Sequence, residues 1–179
     1  MSHKQQRDFC KSVKDQFPKH FIKKTVLDIG SGDINGNNNW MFEDSFILGC
    51  DVAFGPNVSM ISFAHELPFV DEFFDTIVST ETLEHDRYYQ STLVAAVRML
   101  KSKGLFLMSC ATTGRPEHGT SRSKPYQVFA TRRPDLDDYY KNLTEKDIRD
   151  VLDIDKYFSE YEFKVDPDHC DLYFWGIKR

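Results

Sequence analysis

Cysteine is scarce: Cys10, Cys50, Cys110 and Cys170 are the whole complement, and they stand far apart. No CxxC pair and no Cys/His cluster at zinc spacing occurs, so no metal site is expected. Disulfide frameworks belong to secreted chains of fewer than about 100 residues, whereas this chain has 179. Four reduced thiols in a cytoplasmic protein are therefore expected. No apolar run approaches the roughly 18 residues of a membrane span. Repeats, low-complexity tracts and linkers are missing too. A basic excess is also absent: the formal net charge is −5, which gives no general pull toward nucleic acid or anionic lipid.

What remains is enough for a core. Apolar residues make up 40 % and aromatics 14 %, which excludes wholesale disorder and suits a single domain. Charge is uneven, because residues 1–24 hold seven Lys/Arg against two Asp/Glu. That segment lacks the apolar stretch of a targeting peptide and reads as an amphipathic helix over 3–16, ended by Pro18. We divide the chain into this helix with its lead-in (1–24) and one domain (25–179).

Short apolar runs then predict strands at 25–29, 45–52, 57–61, 74–79 and 104–110. Between the last two, Leu93, Ala96, Val97 and Leu100 give 88–101 one apolar helical face, with Gly104 close to its C-terminal cap. Thr144-Glu145-Lys146-Asp147 resembles a capping box opening a helix through Leu152. Two more strands, 161–165 and 172–177, form a terminal hairpin around Asp166-Pro167-Asp168. Mostly apolar strands interrupted by a helix predict an α/β sheet, largely parallel, with an antiparallel strand from the hairpin.

The chemistry concentrates after the first strand. Val26-Leu27-Asp28-Ile29-Gly30-Ser31-Gly32 places two glycines at a strand end, where the backbone can turn tightly and approach a ligand. Asp51 follows at the end of the second strand, about 20 residues on, where a carboxylate can accept hydrogen bonds from both hydroxyls of a ribose. Together they indicate a nucleoside-type cofactor. A pyrophosphate would be repelled by Asp28 and Asp33, which would instead suit a cationic ammonium or sulfonium. The glycine spacing and the terminal hairpin disfavour a nicotinamide oxidoreductase.

From Thr25 onward the chain resembles the class I S-adenosylmethionine (SAM) methyltransferases, of small-molecule, methyltransferase domain 11-like type. The resemblance rests on the glycine turn and Asp51, on Ala64-His65-Glu66-Leu67-Pro68-Phe69, on Phe74–Ser79 followed by Glu81-Thr82-Leu83-Glu84-His85, and on Arg98-Met99-Leu100-Lys101-Ser102-Lys103-Gly104. It implies a Rossmann-like sheet of order 3-2-1-4-5-7-6, strand 7 antiparallel, with short connecting helices. It implies SAM as cofactor, with Asp28, Gly30, Ser31, Gly32, Asn35, Asp51, Val52, Ala64, His65 and Glu81 around it. The chain departs from the pattern in having no third glycine after Ile34, a very short link at Ala53–Pro56, and Phe63 where many members have an Asp facing the adenine. Phe63 could stack on the purine or fill the core, with the core favoured.

The polar stretch 111–134 follows the fifth strand and is too long for a connector. In open α/β sheets ligands sit beyond the strand C-termini, so it is expected to face the acceptor. Arg115 and Arg122 are candidates for an anionic or oxygen-rich acceptor. His118, then His85, are candidates for a base. Tyr139-Tyr140 and Tyr88-Tyr89 could wall the site or simply pack. The expected activity is methyl transfer to a small-molecule or glycan-type acceptor. The alternative is a non-catalytic SAM-binding subunit of another enzyme. Nucleic acid is not the expected acceptor, since Ser79-Thr80-Glu81-Thr82 stands where amino-methylating DNA enzymes carry Asn/Asp-Pro-Pro-aromatic.

Overall fold

A computed structural model describes residues 3–133, 136 and 138–179. The apolar runs pair into one seven-stranded sheet of order β3-β2-β1-β4-β5-β7-β6. Its strands are β1 (Thr25–Ile29), β2 (Phe46–Asp51), β3 (Met60–Ile61), β4 (Phe74–Thr80), β5 (Leu100–Ala111), β6 (Phe158–Asp166) and β7 (Asp171–Lys178). The first five pair in parallel, and β7 runs antiparallel between β5 and β6. This is the expected order. Parallel pairing brings the C-terminal ends of β1, β2 and β4 to one edge, which is where the glycine turn begins.

Each sheet face has its own cover. On one, helix α1 (Lys4–Gln16) buries Phe9, Cys10 and Val13 with Val26, Leu105, Leu107, Tyr173 and Trp175. Phe9 stacks on Tyr173 at 4.6 Å between centroids. Its lysines face outward, and Lys11 pairs with Asp15 at 2.6 Å. The other face carries helix α2 (Tyr89–Met99), whose Leu93, Ala96 and Val97 pack with Leu27, Ile77 and Phe106. Two short helices, α3 (Glu145–Arg149) and α4 (Ile154–Tyr157), complete that layer. The Thr144–Asp147 capping box forms in both directions.

Several boundaries differ from the sequence reading for local reasons. Gly104 does not cap α2. The helix ends at Met99 and β5 starts at once, with a pairing irregularity opposite Phe74–Thr76 that absorbs Lys101–Lys103. A Cβ at Gly104 would press within 2.8 Å of the Asp75 carbonyl, so the glycine serves strand packing. The third strand shrinks to two residues because Asn57 adopts a left-handed conformation (φ 68°) just before it. The capping box opens one turn and a half, not a helix through Leu152, because Asp153 caps a second helix of its own. The hairpin strands extend beyond 161–165 and 172–177, the first by three residues toward α4. Ala111 still belongs to β5, and residues 112–133 hold only two short 3₁₀ turns, Pro125–Gln127 and Ala130–Arg132. Pro134, the end of the stretch marked in the sequence, lies outside the described residues.

Candidate active site

The turn after β1 is built by backbone. Gly30 takes φ +74°, and its N–H donates to the Cys50 carbonyl at 2.8 Å, as Ser31 does at 3.1 Å. A Cβ on Gly30 would fall 1.9 Å from Thr82 Oγ1. The Gly32 N–H donates to Asp51 Oδ2 at 3.0 Å, and a Cβ there would meet the Phe129 ring at 2.4 Å. Both glycines are thus demanded by neighbouring protein atoms, a requirement the sequence attributed to the cofactor. The Val52 N–H donates to Asp51 Oδ1 at 2.7 Å, which fixes the carboxylate at the end of β2.

Asp28 is fully buried at the centre of the sheet edge. Asn38 Nδ2 donates to its Oδ1 at 2.9 Å and to Thr80 Oγ1 at 3.1 Å, while Oδ2 has no hydrogen-bond partner. Burial pushes the Asp28 carboxyl up to about 7, against the Asn38 hydrogen bond and with help from the nearby charge of Asp51. Asp51 is raised as well, mainly by burial, with the Gly32, Val52 and Ala53 amides opposing. Asp33 does not face a ligand in the same way: its oxygens accept from Gly36 N at 2.8 Å and Asn37 Nδ2 at 2.7 Å, which folds the loop that delivers Asn38.

One cleft collects most of the candidates. Asp28, Gly30, Ser31, Gly32, Asn35 and Asp51 line it, as do Val52, Ala64, Glu81 and His85. His65 does not; its ring packs between Tyr88, at 5.0 Å, and Phe63, at 5.6 Å. Phe63 also lines the cleft instead of joining either core, with its ring edge-on to Tyr88 at 5.2 Å. The stretch after β5 contributes Gln127, Val128, Phe129 and Ala130, whereas Arg115, His118 and Arg122 stand outside the lining.

The arginines are engaged elsewhere. Arg115 Nη1 donates to Asp171 Oδ1 at 2.8 Å and to the His169 carbonyl at 2.6 Å, and Nη2 lies 3.9 Å from Glu81 Oε2. Arg122 is exposed and pairs with Glu117 at 2.8 Å and Asp138 at 3.4 Å. Glu81 is held by Ser109, whose hydroxyl donates to Oε1 at 2.9 Å. It sits in a left-handed backbone conformation (φ 52°) at the end of β4.

His118 and His85 form one unit. Their rings meet edge to face at 5.0 Å, and the Tyr140 ring lies against both, at 5.1 and 5.4 Å. Burial lowers both imidazoles, His85 to about 3, so both are neutral at pH 7. Of the two, His85 faces the cleft. Glu84 lies behind them with no exposure, and burial, then the Glu81 charge, push its carboxyl up to about 8. Tyr139 lines the cleft and Tyr89 is buried in the α2 layer.

Sequence reasoning missed Asn38, Thr82 and Phe129. A buried Asp28 requires a donor, and the Asn37-Asn38-Asn39 run offers one, but its choice depends on loop folding. Phe129 had no local signal. It arrives from a distant segment, with Arg132 stacked on it at 3.8 Å and Arg133 Nη1 donating to the Val52 carbonyl at 3.0 Å.

A parallel sheet whose first turn and second-strand acid meet in an apolar-walled cleft defines a Rossmann-like, nucleoside-cofactor class of protein. Within it, a methyltransferase-domain family model matches residues 1–173. The chain belongs to that family and is a SAM-dependent methyltransferase. No curated protein sequence matches the chain. Among solved structures it is similar to the Burkholderia thailandensis 1,6-didemethyltoxoflavin N1-methyltransferase with bound substrate and S-adenosylhomocysteine. That match has a TM-score of 0.64 and 16% identity, covering 97% of this chain and 77% of that one. A Haemonchus contortus phosphoethanolamine N-methyltransferase 2 bound to SAM matches with TM-score 0.63 and 15% identity, over 96% of this chain and 52% of that one. A Pyrococcus horikoshii protein matches with TM-score 0.60 and 15% identity, over 99% and 93%. At such identities the likeness is one of fold. Among the described residues no helix is long and apolar enough to cross a membrane.

Proposed function

We propose that the chain transfers the methyl group of SAM to a small-molecule or glycan-type acceptor in the cytoplasm. The observation that carries this is the cleft itself. Its floor is acidic: Asp28 Oδ2 is buried without a hydrogen-bond partner, and Glu81 Oε2 also lacks one, with the Arg115 guanidinium 3.9 Å away. Phe129, Ala130, Leu136 and Tyr139 wall it from the far side. A buried carboxylate oxygen without a donor is costly, and a cationic ammonium or sulfonium relieves that cost. A walled cleft suits a compact acceptor better than a polymer groove. The bound ligands of two fold neighbours, a toxoflavin precursor and, in another crystal of the nematode enzyme, phosphomonomethylethanolamine, are also small.

SAM, when bound, supplies a methyl group on an already cationic sulfur. The chain's own residues hold and align. Asp51 keeps lone pairs for ribose hydroxyls while the Gly32 and Val52 amides fix its orientation. Asp28 and Glu81 offer negative charge to the cationic part of the cofactor. Phe63 presents an aromatic wall for the purine, and the 125–133 segment excludes water. Alignment of this kind contributes several kcal/mol to the barrier. Arg115 reaches the site only through Glu81 and Asp171, so it acts as a positioning residue.

The test is release of S-adenosylhomocysteine by the purified protein given SAM and a fractionated metabolite pool. Turnover with a small-molecule fraction supports the reading. Tight cofactor binding without turnover in any fraction, but with turnover on adding a partner enzyme, would favour the non-catalytic subunit instead.

A further inference from the structure

Behind the cleft, one ligand atom from each of Glu84, His85 and His118 lies within 4.8 Å of the other two. We propose that these residues bind a first-row divalent transition cation, such as Mn²⁺, Co²⁺ or Zn²⁺, beside the acceptor side of the cleft. The inference rests on the methyltransferase reading for its role, though not for the site.

Three observations converge. Glu84 has zero exposure, and neither of its oxygens has a hydrogen-bond partner in good geometry, although the Glu84 and Ala111 amides lie near enough to ease its charge. His85 Nδ1 is likewise buried without a partner. A carboxyl group and an imidazole left together in the interior without hydrogen-bond partners are costly unless something binds both. Third, His118 is oriented as a ligand would be. Its Nδ1 lies 3.1 Å from the Pro116 carbonyl, which can only accept, so Nδ1 carries the proton and Nε2 keeps the lone pair. Tyr140 packs the outer side of both rings and its hydroxyl donates to the same carbonyl at 3.3 Å. Gly119 keeps the space open, since a Cβ there would sit 2.7 Å from His85 Cε1.

Two imidazole nitrogens and one carboxyl oxygen as donors select a borderline transition cation over Mg²⁺ or Ca²⁺. Bonds of about 2.0–2.2 Å place donor pairs about 3–3.5 Å apart, so side-chain rotation closes the cluster onto the ion. Three protein ligands leave an open coordination position, as catalytic sites do. Because His85 also lines the cleft, that position falls to an acceptor oxygen. The acceptor class is then a hydroxyl compound. The new bond joins its oxygen to the methyl carbon, the carbon–sulfur bond breaks with its electron pair going to sulfur, and the hydroxyl proton leaves to solvent. The other grouping, His3 with Glu81 and Asp171, is a weaker choice because Asp171 already binds Arg115, Tyr173 and His3.

The experiment titrates chelator-stripped full-length protein with Co²⁺, read by visible absorption, alongside calorimetric titration with S-adenosylhomocysteine. Stoichiometric Co²⁺ binding without a thiolate charge-transfer band is expected. Glu84→Gln and His118→Asn should each weaken it by more than about 100-fold, while S-adenosylhomocysteine affinity is unchanged. Glu84→Gln is isosteric and introduces no charge, so it remains informative if His118→Asn fails to fold. No stoichiometric binding, a thiolate band, or equal Co²⁺ affinity in the Glu84→Gln variant would overturn the site. Wild type that binds Co²⁺ but not S-adenosylhomocysteine would retain the site and defeat the cofactor reading separately.

Discussion

The two halves of the cleft solve different problems. On the β1–β2 side, backbone amides satisfy the chemistry: Gly30 and Ser31 donate to Cys50, and Gly32 and Val52 donate to Asp51. Beyond β4, the polar groups are side chains brought from far apart, and Glu84 and His85 keep buried atoms without partners. The backbone of the first half is finished before any ligand arrives, and among the described residues there only Asp28 Oδ2 and Ser31 Oγ are buried without partners. The second is preorganised at a cost that a ligand must relieve. This contrast separates a shared cofactor site from the part that distinguishes one acceptor from another.

The sharpest way to break the contrast is at the finished half. Gly30→Ala should abolish cofactor binding, because a side chain at φ +74° is strained and its Cβ would overlap Thr82 at 1.9 Å. Gly32→Val should do the same, because its side chain would press on Asp51 Oδ2 as well as on Phe129 and so fill the turn itself, with far-ultraviolet circular dichroism preserved. Calorimetry against S-adenosylhomocysteine measures both. Retained affinity in either variant would show that the turn is not part of the binding surface. Next in size is Asp51→Ala, which should weaken binding by about 1–3 kcal/mol, the scale of a hydrogen bond to a charged group. Equal affinity would remove Asp51 from the ribose.

The difference between the halves also explains what the sequence could show. The strand order and the glycine turn with Asp51 were legible because each is local: an apolar run, then a glycine, then an acid at the next strand end. Positions such as Gly104 misled because a glycine after a helical pattern can cap a helix or pack a strand, and only the Asp75 carbonyl decides. In the acceptor half, residue type was legible but engagement was not. Arg115 read as a free cation, yet Asp171, 56 residues away, holds it. Phe129 carried no pattern, and Glu84 stood in the Glu81–His85 run with no sign of its full burial, since both roles come from tertiary placement.

A pH titration sharpens the comparison on Asp28. Its carboxyl, raised to about 7 by burial, is largely protonated in the free folded protein at pH 5 and ionised at pH 8. In the unfolded chain it ionises near its ordinary 3.8. The folded state therefore binds the extra proton between those values, and this group's contribution to stability falls as pH rises from about 4 to about 7. Relative to wild type, Asp28→Asn should gain stability between pH 5 and pH 8, by about 2–3 kcal/mol, since about two of the three units of the shift lie above pH 5. Thermal melts at the two pH values measure this. A cationic cofactor favours the ionised form, so wild-type affinity for SAM should rise severalfold from pH 6 to pH 8, and Asp28→Asn should flatten that rise. A flat wild-type profile would mean that Asp28 carries no charge toward the cofactor.

The smallest expected effect lies where the halves meet. Phe129 is nearly buried, its ring edge over Gly32 and Gly55, and the segment around it is fastened by Arg132 and Arg133 to the Phe54 and Val52 carbonyls at 3.3 and 3.0 Å. These bonds tie the acceptor-side chain to the end of β2, so the segment should cover a bound cofactor without contributing polar contacts to it. Phe129→Ala removes the ring but leaves both arginine ties and the glycine turn. Cofactor release should then quicken by about threefold to tenfold, the scale of about 1 kcal/mol of lost contact. Stopped-flow displacement of S-adenosylhomocysteine measures the rate. Hydrogen exchange supplies a second reading: amides of 125–133 should be protected by cofactor in the wild type and less so in the variant. An unchanged release rate with unchanged protection would make this segment a fixed wall, and the boundary between the two halves would then lie at Asp51 itself.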